Sequence, residues 1–184
     1  LAGRSVKHEW VSLENISPDL VRAVVTSEDG RFCSHWGVDW GQVEDAIARA
    51  EKRGEAPRGA STIPMQTAKN LFLWQSRSYV RKAIEIPLAY AMSALWPKRR
   101  MLEIYLNIAE WAPGVFGIEA AARNHFRISA AELNPRQSAQ LAAALPNPYV
   151  RNAGRPGPKT RALARRIETR VKRAAAPLGC ITPE

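Results

Sequence analysis

Apolar positions in this chain recur mostly at intervals of three and four residues, a period that predicts a mainly α-helical protein. Ser17-Pro18-Asp19 has the form of a helix start, with proline in a first-turn position where no N–H is required. Leu20, Val24 and Ser27 would then share one face. Asp39 with Gln42 resembles a capping box opening a helix whose Val43, Ile47 and Ala50 form a stripe, and Gly54 would stop it. The polar, glycine-bearing stretch 51–60 predicts a loop. A third helix is expected from Ser61 or Thr62 to Leu73, with Pro64 in its first turn. The longest periodic stretch runs from about Ser78 to Leu95. Its expected buried stripe is Ile84, Leu88, Ala91 and Leu95, and Pro87 inside it should kink it near Ala83. Further helices are expected over Lys98 to Ala109 and Ile118 to Phe126, with starts at Ser129 (Glu132) and Asn134 (Gln137), and a last, basic helix from Lys159 to Ala175. Alternating patterns are scarce; Trp10 to Leu13 and Phe32 to Val38 are the candidates for local strand pairing. No internal repeat is present.

A chain of 184 residues reads as one domain with enough apolar content, 46%, to form an ordinary core. The net charge of +10, from 27 Lys and Arg against 17 Asp and Glu, favours an anionic partner: nucleic acid, anionic lipid headgroups or a phosphorylated substrate. The apolar stretch from Ile86 to Trp96 is too short to span a bilayer and contains Pro87. There is no leader pattern at the start, Leu1-Ala2-Gly3-Arg4, and no initiating Met, so these residues are expected to be cut from a longer chain, and the lack of an anchor among them does not count against membrane attachment. Cys33 and Cys180 are expected to be separate thiols, although an oxidising compartment would allow a bridge between the chain end and the segment around Phe32.

The candidate chemistry is concentrated in two carboxylates and the cations between them. Glu28 falls at the C-terminal end of the first helix, just before Asp29-Gly30, beside Val24, Val25 and Phe32. The negative helix end and the apolar surroundings both disfavour its ionised form, which suits a general base working near neutrality. In isolation it would read as a surface glutamate at a frayed helix end; the motif around it argues otherwise. His8, His35 and His125 are not at metal-ligand spacing and no Ser-His-acid set is apparent, so His35 is expected to hold the loop carrying Glu28. Gln66, Lys69 and Asn70 share one helix face, and Arg77, Arg81 and Glu85 follow at four-residue steps with Lys82 adjacent. An Arg81–Glu85 pair on an exposed helix would be worth only about 0.3–0.5 kcal/mol. So many polar groups between apolar stretches suggest instead a pocket for a phosphate leaving group. The last helix sets Leu163, Ile167 and Val171 against Arg161, Arg165, Arg166, Arg170, Lys172 and Arg173: a solvated face, or one suited to an anionic membrane. Trp74, Trp111 and Phe116 are candidates for contact with the membrane interface or for the core.

These residues resemble the five signatures of the peptidoglycan glycosyltransferases (family 51), the polymerase domain shared with bifunctional penicillin-binding proteins. Glu28-Asp29 with Phe32, His35 and Gly37 is similar to the first. Gly59, Ser61-Thr62-Ile63, Gln66 and Lys69-Asn70 are similar to the second. Arg81-Lys82 with Glu85 resembles the third; Lys98, Leu102-Glu103 and Tyr105-Leu106-Asn107 the fourth; Gly114, Gly117, Ala120-Ala121 and Phe126 the fifth. The resemblance runs from about Trp10 to Pro148 in the family's order, and it is to the monofunctional members, since no transpeptidase sequence follows. It implies a lysozyme-like helical head with a small jaw subdomain. It also implies a single-pass anchor in the cytoplasmic (inner) membrane, with the catalytic domain on the periplasmic or outer face. Lipid II, the growing glycan strand and other cell-wall synthesis proteins are the implied partners, not nucleic acid. By the same resemblance Glu28 would deprotonate the acceptor's 4-hydroxyl, and Lys69, Arg77, Arg81 and Lys82 would hold the departing pyrophosphate. A divalent cation, Mg2+ or Mn2+, could share that work. Glu85, the second catalytic candidate, would organise these cations or the metal. Ser61, Gln66 and Asn70 would contact donor phosphate or sugar. The family usually has two glutamines in the second signature; here Met65 precedes Gln66, so one amide contact should be lost while activity is retained. Ala112-Pro113 and His125 are milder departures.

Two rivals remain open. A lysozyme-like hydrolase or lytic transglycosylase would also use one essential glutamate but has no need of the cation cluster. A basic helical nucleic-acid-binding protein would explain the charge, but no recognisable binding motif supports it.

Overall fold

In a computed structural model, residues 6–54, 59–74, 79–174 and 176–181 are described. Eight α-helices lie among them: α1 (Pro18–Glu28), α2 (Trp40–Arg53), α3 (Ile63–Phe72), α4 (Tyr79–Leu95), α5 (Lys98–Ile108), α6 (Ile118–Phe126), α7 (Pro135–Ala144) and α8 (Pro158–Ala174). The architecture is mainly α, as the apolar period predicts. Most predicted helix starts hold in detail, but Ser17 before α1 makes no capping bond and its hydroxyl donates instead to the Leu133 carbonyl at 2.6 Å. Asp39 accepts from the Gln42 N–H, Thr62 from that of Met65, and Asn134–Gln137 and Ser129–Glu132 are complete capping boxes.

The sheet lies elsewhere than expected. Lys7–His8 (β1) pairs in parallel with Val115–Phe116 (β3), which pairs antiparallel with Glu110–Ala112 (β2). Strands of two and three residues carry too little alternation to register in a sequence. Of the expected local pairs, the 32–38 segment contributes one bridge, Trp36 to Val38, and 10–13 none.

The main core lies where α1, α5, α6, α7 and α8 meet, and Leu20, Val24, Leu102, Leu106, Ile118 and Leu141 are fully buried in it. Trp111 is 1% exposed, which removes it from the interfacial candidates; Trp74 is 48% exposed and Phe116 half-buried. Ile167 is buried and Leu163 and Val171 are half-buried beneath α8, so the basic face of that helix is its outer one. A second, small cluster joins Val38, Met65 and Ala89, flanked by Val43, Ile86 and Tyr90 from α2 and α4. Two clusters of unequal size match the expected head and jaw.

The stripe expected on α4 is the wrong one. Ile84 is 38% and Leu95 77% exposed, Ala91 is exposed and Leu88 only half-buried, whereas Glu85, Ala89 and Met92 face inward. Both stripes fit a 3.6-residue period. The burial of Glu85 among the cations of the cleft decides between them and turns the more apolar stripe outward. On α2 the inward positions are likewise Ala46 and Ala50, with Ile47 43% exposed. α4 runs through Pro87 as one helix.

The two thiols expected to be separate are joined. Cys33 and Cys180 form a disulfide with their Cα atoms 5.5 Å apart, closing a separation of 147 residues. Burial of Phe32 in the core and of Ile181 beside it brings the cysteines together; a sequence separation that large leaves no local signal. Replacing both cysteines by serine should cost about 2–5 kcal/mol of stability. Thermal unfolding with and without reductant checks this: reductant should lower the Tm of the native chain and leave the double variant unmoved.

Candidate active site

Glu28 is the last residue of α1, and the chain after it is fixed by Asp29. With 1% of its surface exposed, Asp29 accepts from the Ile63 N–H at 3.0 Å, at the start of α3, and from His35 Nε2 at 2.8 Å. The Asp29 carboxylate can only accept, so His35 Nε2 donates to it, while Nδ1 is buried without a hydrogen-bond partner among the described residues. His35 thus has the loop-holding role expected of it. Lys98 Nζ donates to the His35 carbonyl at 2.7 Å and sits 4.5 Å above the Phe32 ring. Gly37 completes the turn: its φ is +80°, a Cβ there would stand 3.0 Å from the Ala89 carbonyl oxygen, and its own carbonyl accepts from Thr62 Oγ1 at 2.5 Å. These contacts close the first signature onto α3 and α4.

Glu28 faces the cleft held by α3. Gln66 Nε2 donates to Glu28 Oε2 at 3.1 Å, and Gln66 Oε1 accepts from the Tyr105 hydroxyl at 3.0 Å. An ionised carboxylate only accepts, so the amide NH2 of Gln66 meets Glu28 and its oxygen is left for the Tyr105 hydroxyl. Ser27 Oγ donates to Glu28 Oε1 at 3.4 Å. Burial raises the proton affinity of Glu28 above the ordinary glutamate range, partly offset by the Gln66 and Ser27 bonds and by the Arg151 guanidinium. Burial, with Glu28 and Asp29 nearby, also holds the Tyr105 hydroxyl protonated well above its usual range.

The cations converge on Glu85, which is 2% exposed. One carboxylate oxygen is ion-paired with Arg81 and the other lies 3.0 Å from Lys82 Nζ. Lys82 Nζ also donates to Ser61 Oγ at 2.8 Å and lies 4.0 Å from Met65 Sδ. Burial and then the charges of Arg81 and Lys69 push the pKa of Lys82 down to about 8. Lys69 is lowered by burial and Arg81, against the pull of Glu28. Cations that lower one another's proton affinity are poised for an anion. Lys69 and Asn70 line a cavity of about 220 Å3 with Gln66 and Tyr105. Arg77 lies outside the described residues.

Every described residue picked from the sequence as a site candidate therefore lies on the connected wall formed by α1, α3 and α4. Asp29, Lys98 and Tyr105, visible only as members of motifs, hold that wall in place. Arg151 carried no signal, because it reaches the cleft from the loop after α7, anchored by an NH1 bond to the Ala143 carbonyl at 2.9 Å. Met65 is 1% exposed in the small cluster. Its side chain packs against Val38 and Ala89, and its sulfur, not an amide, faces Lys82. Among the described residues no group of three or more His, Cys, Asp or Glu could hold a metal ion. Both oxygens of Glu85 are ion-paired with cations, so the donor set does not fit a resident metal.

The family model for transglycosylases matches residues 1–175. The chain is 56% identical to the biosynthetic peptidoglycan transglycosylase of Agrobacterium fabrum over 172 residues, 94% of this chain and 76% of that protein. It is 54% identical to the protein of the same name from Rhizobium meliloti, covering 97% and 75% of the two chains. The Brucella suis biovar 1 protein is 51% identical over 97% of this chain and 79% of its own. With its signatures folded into one cleft and its relatives matched over nearly its whole length, the chain belongs to the transglycosylase family.

Proposed function

We propose that the cleft polymerises peptidoglycan glycan chains, the glycosyltransferase activity that goes with the family, using lipid II as acceptor. Glu28 takes the proton of the acceptor's 4-hydroxyl, and the freed oxygen bonds to the anomeric carbon of the growing chain. The bond to the lipid pyrophosphate breaks, configuration inverts, and the negative charge leaves on the pyrophosphate. Lys69, Arg81 and Lys82 stabilise that charge, with Arg77 in the same role; Glu85 holds Arg81 and Lys82 in place, and Ser61 and Asn70 contact the donor. Gln66, oriented by Tyr105, aims Glu28. The observation that carries this reading is the cation cluster next to the base: a hydrolase, which attacks with water a substrate lacking a pyrophosphate, has no use for it.

The outward stripe of α4, with Leu71 and Phe72 at the end of α3 and Trp74 just after it 39–59% exposed, supports seating of the jaw at the outer face of the cytoplasmic membrane, where the lipid tail of the substrate stays. No helix among the described residues is long and apolar enough to cross a membrane.

Incubation with lipid II should yield polymer, and release of short fragments from preformed peptidoglycan would favour the hydrolase instead. Glu28→Gln keeps the size and the bond from Gln66 but removes the base, and should cost about 10²–10⁴ in turnover. The raised affinity of Glu28 for its proton means that its ionised form destabilises the fold at neutral pH. The same variant should therefore raise Tm at pH 7, and the gain should vanish below the ordinary glutamate range, where Glu28 is protonated in folded and unfolded chains alike. Near-normal turnover by a folded Glu28→Gln protein would remove Glu28 from the role.

Lys69→Ala should lower turnover by about 10²–10³ through loss of a placed positive charge; polymerisation at the native rate would make Lys69 a surface charge. The pH profile of kcat/KM should be bell-shaped. Its acid limb reflects protonation of Glu28 and should lie above the ordinary glutamate range, because burial raises the proton affinity of that carboxylate. Its alkaline limb should fall near 8 as Lys82 loses its proton. Lys82→Arg should move only the alkaline limb, upward, because a guanidinium stays charged.

A further inference from the structure

The cavity beside Glu28 has a second wall that the cation cluster does not explain. Facing Gln66, Lys69 and Asn70 across it are Glu110, the first residue of β2, and Tyr149, in the loop after α7. Glu110 Oε1 accepts from the Gly114 N–H at 2.9 Å, which fixes the carboxylate against the β2–β3 turn. Both of its oxygens lie 3.0 Å from the Tyr149 hydroxyl. That hydroxyl has one hydrogen to give, so each oxygen keeps acceptor capacity for another partner. Tyr149 is 64% exposed although its hydroxyl is anchored, so its ring stands at the cavity edge in a defined orientation.

The two walls differ in sign. Lys69, with Arg81 and Lys82 behind it, attracts phosphate; the carboxylate of Glu110 repels it. A neutral group carrying hydroxyl and amide donors suits the Glu110 side, and the C–H face of a pyranose suits an aromatic ring held at its rim. Gln66 lines the cavity and its amide donates to Glu28, so a sugar seated against Glu110 lies one side chain from the base.

We propose that Glu110 and Tyr149 form a carbohydrate-binding lip for the acceptor. The Tyr149 ring stacks on an acceptor sugar, and Glu110 accepts hydrogen bonds from its hydroxyl or acetamido N–H groups. The lip rests on the polymerase reading and adds to it the residues that select the acceptor as a sugar, apart from those that hold its phosphates. It also predicts a division of labour: the cationic wall governs turnover and the lip governs acceptor affinity.

The test is an NMR titration of the protein with the lipid-free, phosphate-free disaccharide of N-acetylglucosamine and N-acetylmuramic acid, together with polymerisation kinetics. The native chain should bind the disaccharide, Tyr149→Ala should weaken binding about tenfold, and Tyr149→Phe, which keeps the ring, should recover most of the loss. With lipid II, Tyr149→Ala should raise KM by a similar factor with a smaller change in kcat, and Glu110→Gln should raise KM without altering the pH limbs set by Glu28 and Lys82. Equal disaccharide binding by the native chain and Tyr149→Ala, no binding by either, or a defect confined to kcat would overturn the lip. Failure of the native chain to polymerise lipid II would overturn the polymerase reading instead; the titration still decides the lip, because it needs no turnover.

Discussion

A carboxylate sealed from water has to be fully partnered, and the cleft depends on how Asp29 meets that requirement. Its oxygens take the Ile63 N–H at the head of α3 and the ring of His35 in the following turn. One side chain thereby joins the end of the helix that carries the base, the turn after it and the start of the helix that carries Gln66 and Lys69. Truncating it would leave the Ile63 N–H and His35 Nε2 buried and unsatisfied together. Such a network acts as a unit, so Glu28 is aimed less by its own contacts than by those of its neighbour.

The rest of the cleft is held in electrostatic tension. A base has been placed where burial resists its charge, and cations have been packed until they weaken one another's hold on their protons. Neither arrangement favours the resting fold. Both become favourable once an anion enters and a proton is taken up, which is the sense in which binding sites are preorganised at some cost in stability. Glu85 limits that cost by pairing one carboxylate oxygen with Arg81 and the other with Lys82.

Much of this was legible in the sequence. Caps at Asp39, Thr62, Ser129 and Asn134 carry local hydrogen-bond chemistry and fixed the helix starts closely. Glu28, Gln66, Lys69 and Glu85 were legible because they recur at helical spacing or stand beside a turn signal. Three features were not. The orientation of α4 depends on Glu85 being buried by ion pairing, and periodicity scores a buried glutamate as an outward position. The short β1–β3–β2 sheet is stabilised by packing on α6 rather than by any pattern of its own. Tyr149, Glu110 and Arg151 come to the cleft from segments about 80 to 120 residues away from Glu28, a proximity that only the folded chain creates.

The bond between Cys33 and Cys180 changes the role of the segment after α8. Residues 176–181 are not a trailing end but a buttress of the turn that follows the base, with Ala176 and Ile181 buried in the core and the Ala176 N–H bonded to Thr26 on α1. Anything joined to the chain just past this point would therefore start its path close to the catalytic turn. For protein engineering, residues 176–181 are active-site positions, and insertions or linkers placed against them would be the most intrusive.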